Sequence, residues 1–213
     1  QFGEKTGLDL PGELGGVLPS REWKKINKDE PWYRGETLIV GIGQGFMTAS
    51  PIQLALATGA IANKGNLLTP RVLMHSQSKD GLSYSESQPQ LKQIPIKNID
   101  NWELIIESMK QTIYGKLGTA KRLNNKLSYT LAGKTGTAQV FGLDPEEEYI
   151  AENIDEKLRD HALFTAFAPI EKPQVAIAII VENAGSGSSQ AAPLARVLLD
   201  EYFNKYGLNP DKI

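Results

Sequence analysis

The hydrophobic and polar positions along the chain form helical repeats in some stretches and strand-like alternation in others. The stretch SPIQLALATGAIANKG carries the strongest helix signals. Ser50 suits the N-cap, Pro51 suits the first turn, and the interior is rich in Ala and Leu. Gly65 can end the helix. We therefore predict a helix between Ser50 and Gly65.

Two further helices follow from apolar residues that recur at helical spacing. Asp100 and Glu103 have the spacing of a capping pair for a helix that ends near Gly115. The residues of this helix that should face the core are Trp102, Ile105, Ile106, Met109 and Ile113. A C-terminal helix over about residues 189–206 is expected to pack on a sheet through Leu194, Val197, Leu198 and Tyr202.

Strand patterns occupy residues 129–140, 163–168 and 174–182, and a further strand is predicted at residues 67–74 before a turn at Asp80-Gly81. The stretch 174–182 is almost continuously apolar, which predicts burial on both of its faces. Helices come first, then three strands close in sequence, then a helix. This order favours an α/β protein of the α+β type, with an antiparallel sheet flanked by helices, over alternating β-α-β units.

Two segments lack such patterns. Residues 1–35 are punctuated by Gly and Pro, and they predict an irregular, loop-rich segment that is functional or docked on the rest of the chain. Residues 144–160 are acidic and predict a charged surface insertion, with a role in binding a metal or a basic partner as the lesser alternative.

Composition and charge exclude several classes of protein. The 213 residues are 40% hydrophobic and carry a formal net charge of −2, which gives no reason to expect a nucleic-acid partner. The longest apolar run, Val175–Val181, is far shorter than the roughly 20 residues of a membrane-spanning helix, so no membrane contact is expected within this chain. Without cysteine, and with only His75 and His161, no metal site and no cofactor are predicted.

The stretch LAGKTGTAQV contains the most informative short motif. Gly133-Lys134-Thr135 could end a phosphate-binding loop, but the first glycine of that loop is replaced by Ser128 and no helix pattern follows. We therefore predict a strand, on which a cation, two hydroxyls and a glycine could hold a peptide carboxylate. Strand alternation separates Lys134 and Gly136 from Thr135 and Thr137 unless the strand twists or lies at a sheet edge. The alternative is an ordinary exposed strand.

The K-T-G tripeptide occurs with S-x-x-K and S-x-N motifs in serine β-lactamases and penicillin-binding proteins. Together with other stretches, it makes the chain similar to the C-terminal part of the transpeptidase domain of class B penicillin-binding proteins. The similar stretches cover almost the whole chain: FGEKTGLDLPGE, PSREWK, PWYRGETLIVGIGQGFMTASPIQLALA, AGKTGTAQVFG, RDHALFTAFAP and PQVAIAIIVENAG.

This resemblance implies the fold shared with serine β-lactamases, here incomplete at its N-terminal side, and a peptidoglycan D,D-transpeptidase that β-lactams inhibit. It implies that Lys134 supplies positive charge near the reaction and that Thr135 and Thr137 bind the substrate carboxylate. Gly136 would leave room for the substrate, and the backbone N–H of Thr137 would be an oxyanion-hole donor. It also implies D-Ala-D-Ala stem peptides as substrate, a glycosyltransferase partner in the rod-shape complex, and a location on the periplasmic side of the bacterial inner membrane.

The catalytic serine of the family is not evident in this sequence. The S-x-x-K match, Ser76 to Lys79, lies in a polar turn, whereas the family motif belongs at the start of a buried helix. We expect the S-x-x-K and S-x-N motifs upstream of Gln1, so that this chain alone would hold an inactive half of the active site.

Other candidate chemistry is weaker. Asp160 and His161 could suggest a Ser-His-Asp site, but neighbours on a strand face opposite ways, so a structural histidine is preferred. Gly41, Gly43 and Gly45 lack the dinucleotide-binding spacing and predict a tight loop. A non-catalytic interaction module that docks a partner through residues 3–33 remains an alternative, as does a carboxypeptidase or β-lactamase.

Overall fold

A computed structural model describes residues 2–73, 75–81, 83–85, 90–140 and 154–208. The helices are α1 (Arg21–Lys28), α2 (Arg34–Gly41), α3 (Pro51–Ala62), α4 (Asp100–Tyr114) and α5 (Ala192–Tyr206). The strands are β1 (Asn66–Leu68), β2 (His75–Gln77), β3 (Ser83–Ser85), β4 (Leu91–Gln93), β5 (Ala132–Ala138), β6 (His161–Ala168) and β7 (Val175–Val181). Short 3-10 turns cover Lys121–Asn124 and Glu156–Leu158, and a π-helical turn, Gly187–Ala191, leads into α5.

The main sheet has three antiparallel strands in the order β5-β6-β7. Lys134 of β5 lies opposite Thr165 of β6, which in turn lies opposite Ala178 of β7. Two small antiparallel pairs, β1 with β4 and β2 with β3, lie outside this sheet. The predicted α+β class with an antiparallel sheet is therefore confirmed, and β5 is an edge strand of the sheet within the described part of the chain.

Helices cover the two faces of the main sheet. Because successive side chains on β6 point to opposite faces, Phe164 joins the core that includes Leu199 of α5, while Phe167 joins the core that includes Ile106 of α4. Phe164 and Phe167 are both fully buried. β6 is thus the centre of both cores and holds β5 in place.

Helix α3 begins with the N-cap and the proline that the sequence predicts. The Ser50 hydroxyl accepts the backbone N–H of Gln53, the Gln53 side chain accepts the backbone N–H of Ser50, and Pro51 occupies the first turn. After the helix, Gly65 adopts a positive φ of 93° and donates its N–H to the carbonyl of Ala60. The prediction for this helix is confirmed at both ends.

Helix α4 is present, but the predicted capping pair is wrong. Asp100 lies inside the helix, its N–H is accepted by the Asn98 side chain, and Ile99 at the N-cap makes no side-chain cap. Glu103 instead forms an ion pair with Lys64, 2.5 Å away. Of the predicted core residues, Ile105 is 38% exposed, and the buried ones are Trp102, Ile106, Met109 and Ile113.

Helix α5 packs on the sheet through a different stripe from the one predicted. Its buried residues are Ala192, Ala195, Leu199 and Phe203. The predicted contacts Leu194, Val197 and Leu198 are 49%, 64% and 52% exposed. The buried stripe combines two alanines with the larger Leu199 and Phe203, and of the predicted contacts only Tyr202, which is partly buried, packs against this core.

Some strand and loop predictions also need correction. Residues 69–73 form no strand, so the strand predicted over 67–74 is limited to β1, and Met74 lies outside the described residues. The side chains of β7 are all partly exposed, in contrast to the burial predicted for both faces. Residues 144–153 of the predicted acidic insertion also lie outside the described residues.

The segment predicted to be irregular contains a helix, since residues 21–28 form α1, while residues 2–20 are held by side-chain hydrogen bonds. The buried amide of Gln53 donates to the carbonyls of Glu4 and Gly15. Asp9 accepts the backbone N–H groups of Val72 and Leu73. These bonds dock the segment onto α3 and onto the chain after β1.

A buried cation ties α1 to α2. The Lys24 side chain is 2% exposed, and its Nζ lies 2.5 Å from Glu36 and 3.2 Å from Glu30. The same Nζ lies 4.4 Å from the centre of the Tyr33 ring. A buried charge needs such partners, so this cluster fixes α2 relative to α1.

None of the described helices is long and apolar enough to cross a bilayer.

Close packing between β5 and β6 gives a test of the fold. A Cβ at Gly133 would lie 2.6 Å from Cζ of Phe164 and 3.0 Å from the Thr165 carbonyl oxygen. We expect Gly133→Ala to lower the free energy of unfolding by about 1–3 kcal/mol, the usual cost of overpacking a core. Denaturant unfolding of the purified protein measures this change.

Gly41→Ala is the matched control, because a Cβ at Gly41 meets no atom within 4 Å. Equal stabilities of the two variants would contradict the packing described for β5.

Candidate functional site

The candidate site lies along the outer edge of β5, where the K-T-G tripeptide is found. The predicted strand is confirmed over Ala132–Ala138. Lys134, Thr135, Gly136 and Thr137 all line one cleft of about 660 Å³. Strand alternation does not separate them, because a ligand at a sheet edge can reach side chains from both faces of the strand as well as its outward backbone groups.

Several elements contribute to the cleft. The β5 residues face residues from five other places in the chain: the loop after α2, helix α3, the segment before the Lys121–Asn124 turn, strand β6 and the start of the π-helical turn. They are Ile42, Gly43, Gln44, Leu54, Thr119, Leu163, Thr165, Ser186, Gly187 and Ser188. Among all these described lining residues, Lys134 is the only charged one.

Lys134 is exposed to the cleft, and its Nζ donates a hydrogen bond to the carbonyl oxygen of Thr135 at 2.5 Å. The described ion pairs do not include it. An ammonium group that is held by one carbonyl keeps donors for an incoming carboxylate. Lys134 can therefore donate further hydrogen bonds within the cleft, and its role in anion binding stays a prediction.

The hydroxyl of Thr135 is paired with a residue from another part of the chain. Its Oγ1 lies 2.9 Å from Oγ1 of Thr119, and either atom can be the donor. Thr119 lies just before the 3-10 turn Lys121–Asn124. The pair orients both hydroxyls at the cleft wall, where each keeps capacity to accept or donate a further bond.

Gly136 lines the cleft, and a second glycine, Gly187, packs against its backbone. A Cβ at Gly187 would lie 2.5 Å from the Gly136 carbonyl oxygen and 2.2 Å from that of Leu163. The π-helical turn therefore packs directly on the backbone of β5 and β6. This close approach brings Ser186 and Ser188, whose hydroxyls lie 3.0 Å apart, to the side of the cleft.

The loop after α2 reaches the same strand. The side-chain amide of Gln44 donates to the carbonyl oxygen of Thr137 at 2.9 Å, across a sequence separation of 93 residues. Gly43 and Gly45 on either side have φ values of 78° and 75°. The tight loop predicted for the glycines is therefore present, and it presents Gln44 to β5.

Sequence reasoning missed Gln44, Thr119, Ser186 and Ser188. Each lies in a polar or glycine-containing stretch, which marks a loop but does not show what the loop touches. The spacing of these residues carries no recognised motif, so only the fold brings them to β5.

Two other candidates from the sequence, Ser76 and His161, do not have the surroundings of a nucleophilic site. Ser76 lies on β2 and Lys79 in the turn after it, so this S-x-x-K match is not on a helix. His161 begins β6, and its Nδ1 accepts the backbone N–H of Asn183. The preferred interpretation of His161 as a structural residue agrees with this bond.

Comparison with known proteins identifies the class. The Penicillin binding protein transpeptidase domain family matches residues 1–200, and the chain belongs to this family.

Among individual proteins, the chain is similar to the Peptidoglycan D,D-transpeptidase MrdA of Escherichia coli strain K12, with 44% identity over 201 residues, which are 93% of this chain and 31% of that protein. It is also similar to the crystal structure of Pseudomonas aeruginosa PBP2 in complex with WCK 5153. That similarity has 40% identity and a TM-score of 0.78, and it covers 99% of this chain and 42% of that one.

A complex between PBP2 and MreC from Helicobacter pylori has a TM-score of 0.78 at 34% identity, covering 96% of this chain and 34% of that chain. These similarities confirm the resemblance to class B penicillin-binding proteins and the transpeptidase fold. The chain spans about 31% of the length of the curated relatives that it matches.

Asp160, next to His161, gives a prediction about pH. Burial raises the pKa of this carboxyl, and the backbone N–H of Val140 and the nearby His161 oppose the rise only in part. A raised pKa means that the folded state holds more protons than the unfolded state above the usual pKa of 3.8, so this group makes stability fall as pH increases from that value. The effect ends once Asp160 is ionised in both states.

We expect the melting temperature of Asp160→Asn, minus that of the original protein, to be larger at pH 7 than at pH 4, because the amide does not titrate. Thermal melts of both proteins at the two pH values measure this difference. The other titrating groups are the same in both proteins, so their effects cancel in it. A difference that is the same at pH 4 and pH 7 would refute the assignment.

Proposed function

We propose that the protein containing this chain is a peptidoglycan D,D-transpeptidase that crosslinks stem peptides through an acyl-enzyme and is inhibited by β-lactams. The observation that carries this proposal is the convergence of Lys134, Thr135, Gly136 and Thr137 on one cleft, along a strand that lies at the edge of the sheet as far as the residues are described. Membership of the transpeptidase domain family and similarity to MrdA proteins support it.

The site residues have distinct roles in this proposal. Lys134 attracts the terminal carboxylate of a D-Ala-D-Ala peptide, and the hydroxyls of Thr135 and Thr137 donate hydrogen bonds to it. Gly136 lets the peptide backbone approach the strand. The backbone N–H of Thr137 donates to the oxygen of the carbonyl under attack, where negative charge develops during the reaction.

The nucleophile in this proposal is a serine of an S-x-x-K motif that precedes Gln1 in the whole protein. Its oxygen bonds to the carbonyl carbon of the penultimate D-Ala, and the terminal D-Ala leaves as an amine that takes up a proton. The amine of a second stem peptide then attacks the ester, forms the crosslink and releases the serine. β-Lactams acylate the same serine and remain attached.

The location and partners are proposals of the same kind. We place the domain on the periplasmic side of the bacterial inner membrane, with an anchor upstream of this chain. A glycosyltransferase of the rod-shape complex is the proposed polymerase partner. The similarity to a PBP2 that was solved with MreC supports action in elongation and rod-shape maintenance.

Two other functions make different predictions. An interaction module that docks a partner through residues 3–33 would not react with penicillin even in the whole protein. A carboxypeptidase or β-lactamase would react with penicillin but would transfer the acyl group to water. Product analysis with an amine acceptor separates hydrolysis from crosslinking.

Acylation by a fluorescent penicillin tests the role of Lys134. We expect Lys134→Ala in the whole protein to slow acylation about ten- to a hundred-fold, because hydrogen bonds to a charged group contribute about 1.5–3 kcal/mol. Gel fluorescence at several reaction times gives the rate.

Lys97→Ala is the control, since Lys97 is exposed and is not among the cleft-lining residues. An unchanged rate for Lys134→Ala would reject the site, and a complete absence of labelling in the original protein would reject the enzymatic function.

A further inference from the structure

The outer edge of β5 carries backbone acceptors that a peptide ligand could use. Carbonyl groups along a strand alternate between its two sides. The Gln44 amide reaches the Thr137 carbonyl from the loop after α2, on the side of β5 away from β6. The carbonyl of Thr135, two residues earlier, therefore faces the same way.

Side chains occupy both of these outward carbonyls. Lys134 Nζ donates to Thr135, and Gln44 Nε2 donates to Thr137. An unpaired sheet edge favours pairing with another extended chain, and proteins protect such edges. Among the residues that the structure describes, the protecting groups are the ends of two long side chains and not a neighbouring strand.

Hydrogen bonds and close packing hold the backbone around Gln44 in place. Its backbone N–H donates to the Ile39 carbonyl at 3.0 Å, and the neighbouring Gly43 N–H donates to Val40 at 2.9 Å. A Cβ at Gly45 would lie 3.0 Å from the Ile39 side chain. The backbone is thus fixed to the end of α2, and only the side chain of Gln44 is left to turn away.

We propose that Gln44 is a gate on the ligand edge of β5: its amide holds the Thr137 carbonyl and leaves when a ligand backbone N–H takes that acceptor. This inference rests on the proposed function, since it assumes that an acylating ligand lies along β5. It assigns Gln44 a positioning role that slows ligands with an amide donor, because these ligands must displace it, and it makes no use of Gln44 in the chemistry.

The gate predicts that removing Gln44 affects ligands with that donor and leaves ligands without it unaffected. Only a ligand that donates to Thr137 competes with Gln44. Replacing a neutral hydrogen bond costs about 1 kcal/mol, which corresponds to about five-fold in an equilibrium or a rate. Removal of the Gln44 donor should therefore favour amide-bearing ligands alone.

The test compares acylation of the whole protein by benzylpenicillin, which has a side-chain amide, and by penicillanic acid, which has the same ring and carboxylate without that amide. Competition against a fluorescent penicillin gives both rates. We expect Gln44→Met, which keeps the side-chain length but cannot donate, to raise the benzylpenicillin rate about five-fold and to leave the penicillanic acid rate unchanged.

Gln44→Ala should give the same selective increase, and Gln90→Ala is the remote control because Gln90 is exposed and is not among the cleft-lining residues. Melting temperatures show that the variants are folded. Slower acylation by both ligands, or an equal change for both, would overturn the gate and assign Gln44 a structural role.

The two proposals fail in different ways. If neither ligand acylates the original protein, the proposed function fails and the gate fails with it. If both ligands acylate it and the ratio of their rates is the same in Gln44→Met, the gate alone fails.

Discussion

The outer edge of β5, which pairs with no other strand in the described part of the chain, is the constraint on which the rest of the candidate site depends. β6 pairs with β5 along Ala132–Ala138 and uses the hydrogen-bonding groups on one side of the strand. The groups on the other side face a cleft, where water, side chains or a ligand must satisfy them. Lys134 and Gln44 satisfy two of these carbonyls. A strand in their place would close the cleft, whereas side chains protect the edge and can still be displaced.

The edge stays in position because buried polar groups fix the surrounding segments. Gln53 is 2% exposed and joins the start of α3 to the carbonyls of Glu4 and Gly15. Lys24, equally buried, joins α1 to Glu36 of α2. Breaking either network would leave an unpaired polar group in the interior, which costs much more than an exposed hydrogen bond. The loop that carries Gln44 follows directly from α2, so its position depends on this cluster.

Elements with local signals could be predicted from the sequence, and the contacts between elements could not. The ends of α3 follow from Ser50 and Gly65, whose effects act within a few residues. In α5, by contrast, two apolar stripes share one helical period, and the sequence contains no local signal for which of them meets the sheet. The prediction followed Leu194, Val197 and Leu198, whereas the buried residues are Ala192, Ala195, Leu199 and Phe203. Which side chains fit at an interface depends on the shapes of both elements, and the sequence of the helix describes only one of them.

The same distinction applies within the site. Lys134, Thr135, Gly136 and Thr137 are contiguous, so their chemistry could be predicted together, but their convergence depended on an edge position that the strand itself does not specify. Whether a strand has one neighbour or two is decided by segments elsewhere in the chain. Gln44 shows this most clearly, since 93 residues separate it from the carbonyl that it binds. A contiguous motif thus defines which groups a ligand can meet, and distant loop residues determine which of those groups are free when it arrives.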